Sequence, residues 1–250
     1  KIMADVIPMS RGYEIKAKAR EVDVWIYEEI GAGWFGGLSA KQFADDIQAL
    51  GKVDQITVRL NSPGGDVFDG IAIYNILKSN SARVVVNIDG LAASIASVIA
   101  MAGDEITMAE NAMMMIHEAW TIYMGNAGDF REVADRLEKV NGVIRDTYAK
   151  QTGEKAGPEI ITGLMAAETW MTAQEALDYG LIHSTTAALE MAAHFDLDKF
   201  KFKKNPPVAG LPTQPQAAEP DKGEPTLPDV SCFDQAISQC ERILKKDGNL

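Results

Sequence analysis

The chain has 250 residues, enough for one sizeable core or two small ones; 46% are apolar and 7% aromatic, as in ordinary globular proteins. A net charge of −12 repels phosphate backbones and anionic lipid, which argues against nucleic acid or a membrane as partner. Two cysteines, Cys232 and Cys240, and three histidines, His117, His183 and His194, offer neither a disulfide framework nor zinc spacing, so no metal or other cofactor is expected.

In chain order, residues 22–27 (VDVWIY) read as a strand and residues 39–50 as a helix with a serine N-cap. Residues 55–60 (QITVRL) form a second strand and 66–78 a second helix. Residues 83–88 (RVVVNI) read as a strand apolar on both faces, and 93–102 as a third helix. The longest apolar run, residues 91–101, contains Ser94 and Ser97 and falls short of the roughly 18 to 20 residues that span a bilayer. The first twenty residues lack a signal-peptide core, so a cytoplasmic setting is the default. Residues 113–116 read as another buried strand. In the long helix over 129–150, Phe130, Val133, Leu137, Val140 and Ile144 recur every three or four positions. Alternating strands and helices imply an α/β fold of repeated βαβ units with a largely parallel sheet.

Seven of the ten prolines fall in residues 205–229, which read as a disordered linker after a globular region, residues 1–204. In the tail, residues 230–250, Val230, Phe233, Ile237, Cys240 and Leu244 recur at spacings of 3, 4, 3 and 4. They form the apolar seam of a short amphipathic helix suited to a partner.

Three places carry chemistry. Asn61-Ser62-Pro63-Gly64-Gly65-Asp66 lies between a strand and a helix, where paired glycines let backbone N–H groups face an anion or a developing oxyanion; the plainer reading is a tight turn. In Gly90-Leu91-Ala92-Ala93-Ser94-Ile95-Ala96-Ser97, Ser94 opens an apolar helix among small residues, and the plainer reading is an N-cap. This is not the G-x-S-x-G elbow, so an α/β-hydrolase is not supported. In Met113-Met114-Met115-Ile116-His117-Glu118, a histidine ends an apolar strand at the carboxyl edge of the sheet, where the plainer reading is a hydrogen-bonded core histidine.

The combination decides between these readings. NSPGGDVFDGIAIYN, GLAASIAS, MMMIHE and TWMTAQEALDYGLI, in this order, resemble the ClpP peptidase family over residues 22–184. The resemblance implies a ClpP/crotonase-like fold of repeated ββα/βαβ units with a long protruding helix. It also implies a serine endopeptidase in which Ser94 is the nucleophile, His117 the base, and the Gly65 and Ile95 amides the oxyanion hole. Where the family carries its catalytic Asp this chain has Glu168, which either orients the imidazole or is a solvated charge, the site then running as a Ser/His dyad or borrowing another acid. His183 stands where many relatives carry an acid, and no role is assigned to it.

The family further implies a homo-oligomeric ring acting on protein substrates. The Glu, an opening segment unlike the family's axial loops, and the added linker and tail resemble the ClpP-related head-maturation proteases of tailed phages. Those act on scaffold and major capsid protein, in the host cytoplasm or the procapsid. The alternatives are a housekeeping ClpP-type protease working with an ATPase unfoldase, a crotonase-like acyl-CoA enzyme, and an inactive scaffold or adaptor.

Overall fold

The computed structural model describes residues 6–10, 13–31, 37–189 and 202. The expected linker (205–229) and tail helix (230–250) lie outside the described residues. The elements run β1 (Val6–Ser10), β2 (Tyr13–Lys18), β3 (Glu21–Ile26), α1 (Ala40–Ala49), β4 (Gln55–Ser62), α2 (Val67–Ser79), β5 (Arg83–Ala93), α3 (Ile95–Ala100), β6 (Glu105–Ala109), β7 (Met113–Ile116), α4 (Ala127–Thr152), α5 (Pro158–Ala166), β8 (Thr169–Thr172), α6 (Ala173–Tyr179) and β9 (Ser184–Thr186).

The sheet runs β1-β2-β3-β4-β5-β6-β9. It is parallel from β3 through β9 and closed at one edge by the antiparallel β1 and β2. β5 changes neighbour along its length. Val85–Ile88 pair with β6, whereas Leu91, Ala92 and Ala93 pair with β7, which in turn pairs antiparallel with β8. The α/β architecture expected from the alternating pattern is present.

Local chemistry explains the helix starts. The Ser39 side chain accepts from the Gln42 amide, and Asp66 from those of Phe68 and Asp69. Asn126 with Asp129, and Thr172 with Glu175, form capping boxes. α6 ends on Gly180 at φ 82°, a left-handed cap that favours glycine.

One sheet face makes the core. Val22, Val24 and Ile26 of β3, Ile56, Val58 and Leu60 of β4, and Val84, Val86 and Ile88 of β5 are all buried against the helices. The other face is more polar, and many of its side chains on β3, β4 and β5 are half-exposed. Lys16 Nζ lies 4.4 Å from the Trp25 ring centroid, and Thr107 donates to Asn87. The Asp89 carboxylate accepts from Tyr27 Oη at 2.5 Å and Arg59 at 2.8 Å. Burial pushes the Asp89 carboxyl above its ordinary range, and these two donors oppose that push.

This corrects two expectations. Over 83–88, β5 is buried on one face only, because Val85 and Asn87 face the half-exposed side. The strand also continues to Ala93, so the third helix begins at Ile95 rather than at residue 93. In α4 the buried residues are Ile144, Tyr148 and Thr152, whereas Phe130 is 51% exposed and Val133, Leu137 and Val140 are half-buried. The apolar stripe of the long helix therefore leaves the body of the chain over its first half.

Candidate active site

Strand register brings the expected residues together. Ala93 of β5 is level with Met115 of β7, and the Ser94 amide donates to the Met115 carbonyl at 2.9 Å. Ser94 and His117 thus leave adjacent parallel strands at the same end. Ile116 of β7 pairs with Thr169 of β8, so His117 and Glu168 form the next opposed pair outward. Ser94 Oγ and His117 Nε2 are 2.8 Å apart, and Glu168 Oε2 lies 3.8 Å from His117 Nδ1. The first distance is a hydrogen bond; the second is ion-pair range and too long for one. Both side chains are buried, at 9% and 3% exposure. Glu168 is thus not the solvated charge of the alternative reading.

Ser94 has φ 54° and ψ −131°; it stands at the N-cap position of α3, but its side chain makes no capping hydrogen bond. Glu168 has φ 49°. Positive φ in a non-glycine residue costs of order 1–3 kcal/mol and persists where surrounding contacts impose it. Among the described residues the third such case is Ala19, in the turn between β2 and β3.

The Gly64–Gly65 loop packs directly on Ser94. A Cβ on Gly64 would lie 2.7 Å from both the Ala93 carbonyl oxygen and Ser94 Cβ. Gly65, at φ 144°, would place a Cβ 2.0 Å from the Ile30 carbonyl oxygen. The Ile30 amide donates to Gly64 O, and Ile30 O accepts from the Asp66 amide, both at 2.8 Å. That parallel bridge uses the groups flanking Gly65 and turns its own N–H to the opposite side. Ser62 holds the loop from below, donating to the Glu28 carbonyl at 2.6 Å.

Two contacts were not foreseen. The Phe202 ring meets the His117 imidazole nearly at right angles, 5.9 Å between centroids, and Trp170 in the same way at 5.6 Å. No pattern in the linear chain connects residue 202 to this site. His183, given no role, has a structural one: its Nδ1 accepts from the Ile106 amide at 2.9 Å, tying the chain before β9 to β6.

Residues 17–188 match the family model described as Clp protease. The chain belongs to the Clp protease family. The expected enzyme class, a ClpP-like serine peptidase, is the class of this family, and the match does not support the crotonase-type alternative. An ATP-dependent Clp protease proteolytic subunit of Deinococcus radiodurans is 35% identical over 130 residues, 51% of this chain and 63% of that protein, under two thirds of its length. The subunit of the same name from Bacteroides fragilis is 29% identical over 198 residues, 72% of this chain and 95% of that one. A solved structure of a ClpP1 point mutant from Listeria monocytogenes superposes with a TM-score of 0.56 at 26% identity, covering 67% of this chain and 91% of that one. Phe202 lies beyond the matched residues. Among the described residues no helix is long and apolar enough to cross a membrane.

Proposed function

We propose that this Clp protease family member is a serine endopeptidase. His117 Nε2 takes the Ser94 hydroxyl proton as Oγ attacks a peptide carbonyl, and the Gly65 and Ile95 amides receive the oxyanion. His117 then gives the proton to the leaving amine, and water hydrolyses the acyl-enzyme. The observation that carries this reading is the 2.8 Å contact between Ser94 Oγ and His117 Nε2. Glu168, at 3.8 Å, stabilises the imidazolium through its charge.

The substrates are proteins and the working form is a homo-oligomeric ring. Support for the ring comes from the exposed apolar cluster at the start of α4, where Ile122 is 73% exposed, Met124 89% and Phe130 51%, with the Tyr123 and Phe130 rings 6.0 Å apart. An apolar patch of this kind on a single chain marks an association surface. The finer reading is a head-maturation protease that trims scaffold and major capsid protein. The glutamate at position 168 and the proline-rich linker and tail support it. The names of the relatives favour a second reading, a proteolytic subunit that serves an ATP-driven partner.

One experiment separates these. The purified chain is incubated without ATP with casein and with assembled coat and scaffold proteins. Cleavage of coat or scaffold at a few sites is the expected result. Degradation only when an ATPase is added favours the second reading. No cleavage under any of these conditions contradicts the endopeptidase assignment.

A further inference from the structure

Ser97 and Tyr148 form a buried polar pair that the mechanism above leaves unused. Both are fully enclosed in an otherwise apolar region, since every residue of α3 is buried and Ile144 packs one turn before Tyr148. Ser97 Oγ lies 2.5 Å from the Ser94 carbonyl oxygen, 3.1 Å from that of Met115 and 2.7 Å from Tyr148 Oη. Neither carbonyl can donate, so proton accounting orders the contacts. Ser97 has one hydroxyl proton, and its nearest acceptor is Ser94 O. Tyr148 therefore donates to Ser97 Oγ, and Ser97 donates to Ser94 O. Burial holds the Tyr148 phenol well above its ordinary range, so it stays a donor at every working pH. The Ser97 backbone amide also donates to Ser94 O, at 3.0 Å.

The acceptor is what gives the pair its consequence. The Ser94 carbonyl and the Ile95 amide belong to one planar trans peptide and point in opposite directions. Two donors that fix the carbonyl on the buried side thereby fix the direction of the Ile95 N–H on the other. The peptide needs fixing, because Ser94 holds φ 54° and ψ −131°, outside the ordinary regions for an L residue. A hydrogen bond to the carbonyl also polarises the peptide, making its N–H the stronger donor.

We infer that Ser97 and Tyr148 are positioning residues that hold the Ser94–Ile95 peptide plane, so that α4 aims the Ile95 amide at the oxyanion. Neither touches substrate. This rests on the proposed roles of Ser94 and Ile95. Apolar residues of similar size would satisfy packing here, so a Tyr–Ser–carbonyl chain in this place serves the geometry of the peptide rather than the core.

The test uses the full chain, with Tyr148→Phe, which removes one oxygen, Ser97→Ala, and the double variant. Each is measured for melting temperature, kcat and KM on a fluorogenic peptide, rate of reaction with a fluorophosphonate, and affinity for a peptide aldehyde. The phosphoryl oxygen of the first inhibitor and the hemiacetal oxygen formed by the second both need the oxyanion amides. Removing a whole oxyanion donor costs about 10²- to 10³-fold, so a misaimed one is expected to cost about tenfold. The expected result is a roughly tenfold fall in kcat, in fluorophosphonate rate and in aldehyde affinity, with KM within about twofold. The double variant should be no worse than Ser97→Ala, because the tyrosine acts through the serine. Folded variants that keep kcat and both inhibitor measures within about twofold of wild type overturn the inference, as does a rise in KM with kcat unchanged. If the wild-type chain does not react at Ser94, the proposed function has failed and the inference falls with it; wild-type reactivity with unaffected variants removes the inference alone.

Discussion

Ser94 and Glu168 are both expected active-site residues, and both hold a backbone conformation that L side chains rarely adopt. The strain is local, and its neighbours impose it: the Ser94 amide is held by Met115, and Glu168 follows α5 with its amide donating to the Met165 carbonyl. The unequal distances on the two sides of the imidazole have a kinetic consequence. Glu168→Gln should lower kcat/KM by less than His117→Ala, because a carboxylate 3.8 Å away stabilises the imidazolium but does not move the proton. Matched kinetics on one peptide decide this, and a Glu168→Gln rate equal to wild type would mean that the acid lies elsewhere or that the site is a dyad.

Glu28, whose carbonyl anchors Ser62, is the other informative residue. Burial pushes its carboxyl from the ordinary 4.5 up to about 7. The folded chain therefore holds this proton more tightly than the unfolded chain, and the associated stability is present at low pH and lost as the pH rises from about 4.5 to 7. Glu28→Gln should melt higher than wild type at pH 8 and show a flatter profile between pH 5 and 8. Parallel slopes in thermal melts would contradict this.

Among elements, the loop from β4 to α2 and the end of β5 act together. Gly64 packs where any side chain would meet the Ala93 carbonyl and Ser94 Cβ at 2.7 Å, and its φ of 95° favours glycine. Gly64→Ala should cost about 1–3 kcal/mol in stability and lower activity at least tenfold, because the loop must withdraw from Ser94, the proposed nucleophile. A variant with unchanged melting and turnover would show that the loop does not back the site.

Much of this level is legible in the linear chain. Ser39 and Asp66 announce their helices, because an N-cap is a local device. The Gly-Gly turn and the small residues around Ser94 announce close backbone approach. What depends on residues far apart is not legible. Val85 is β-branched and reads as buried, yet only the finished sheet shows that its face is the polar one. Ser97 and Tyr148 are 51 positions apart, and nothing in either segment signals the other. The same holds for Phe202 and His117.

For the whole molecule, α4 carries both Tyr148, proposed to position the site, and part of the exposed apolar cluster proposed to assemble the ring. Its 26 residues span about 39 Å at 1.5 Å per residue, and only its second half packs into the core. Met124→Glu combined with Phe130→Glu should yield smaller species by analytical ultracentrifugation, since charge on that cluster opposes its burial against another copy, while leaving the melting temperature of the single chain little changed. A wild-type chain that is monomeric at micromolar concentration yet cleaves peptide would remove the ring and leave the catalytic reading standing. The most direct test of the central claim is to react the folded chain with a fluorophosphonate and map the modified residue by mass spectrometry, beside Ser94→Ala. One adduct is expected, on Ser94, with complete loss of peptide cleavage. Ser94→Ala should be unreactive and melt within a degree or two of wild type, because the Ser94 side chain caps nothing. An adduct on another residue, or a folded Ser94→Ala that still cleaves at the wild-type rate, would overturn the assignment of Ser94 as nucleophile.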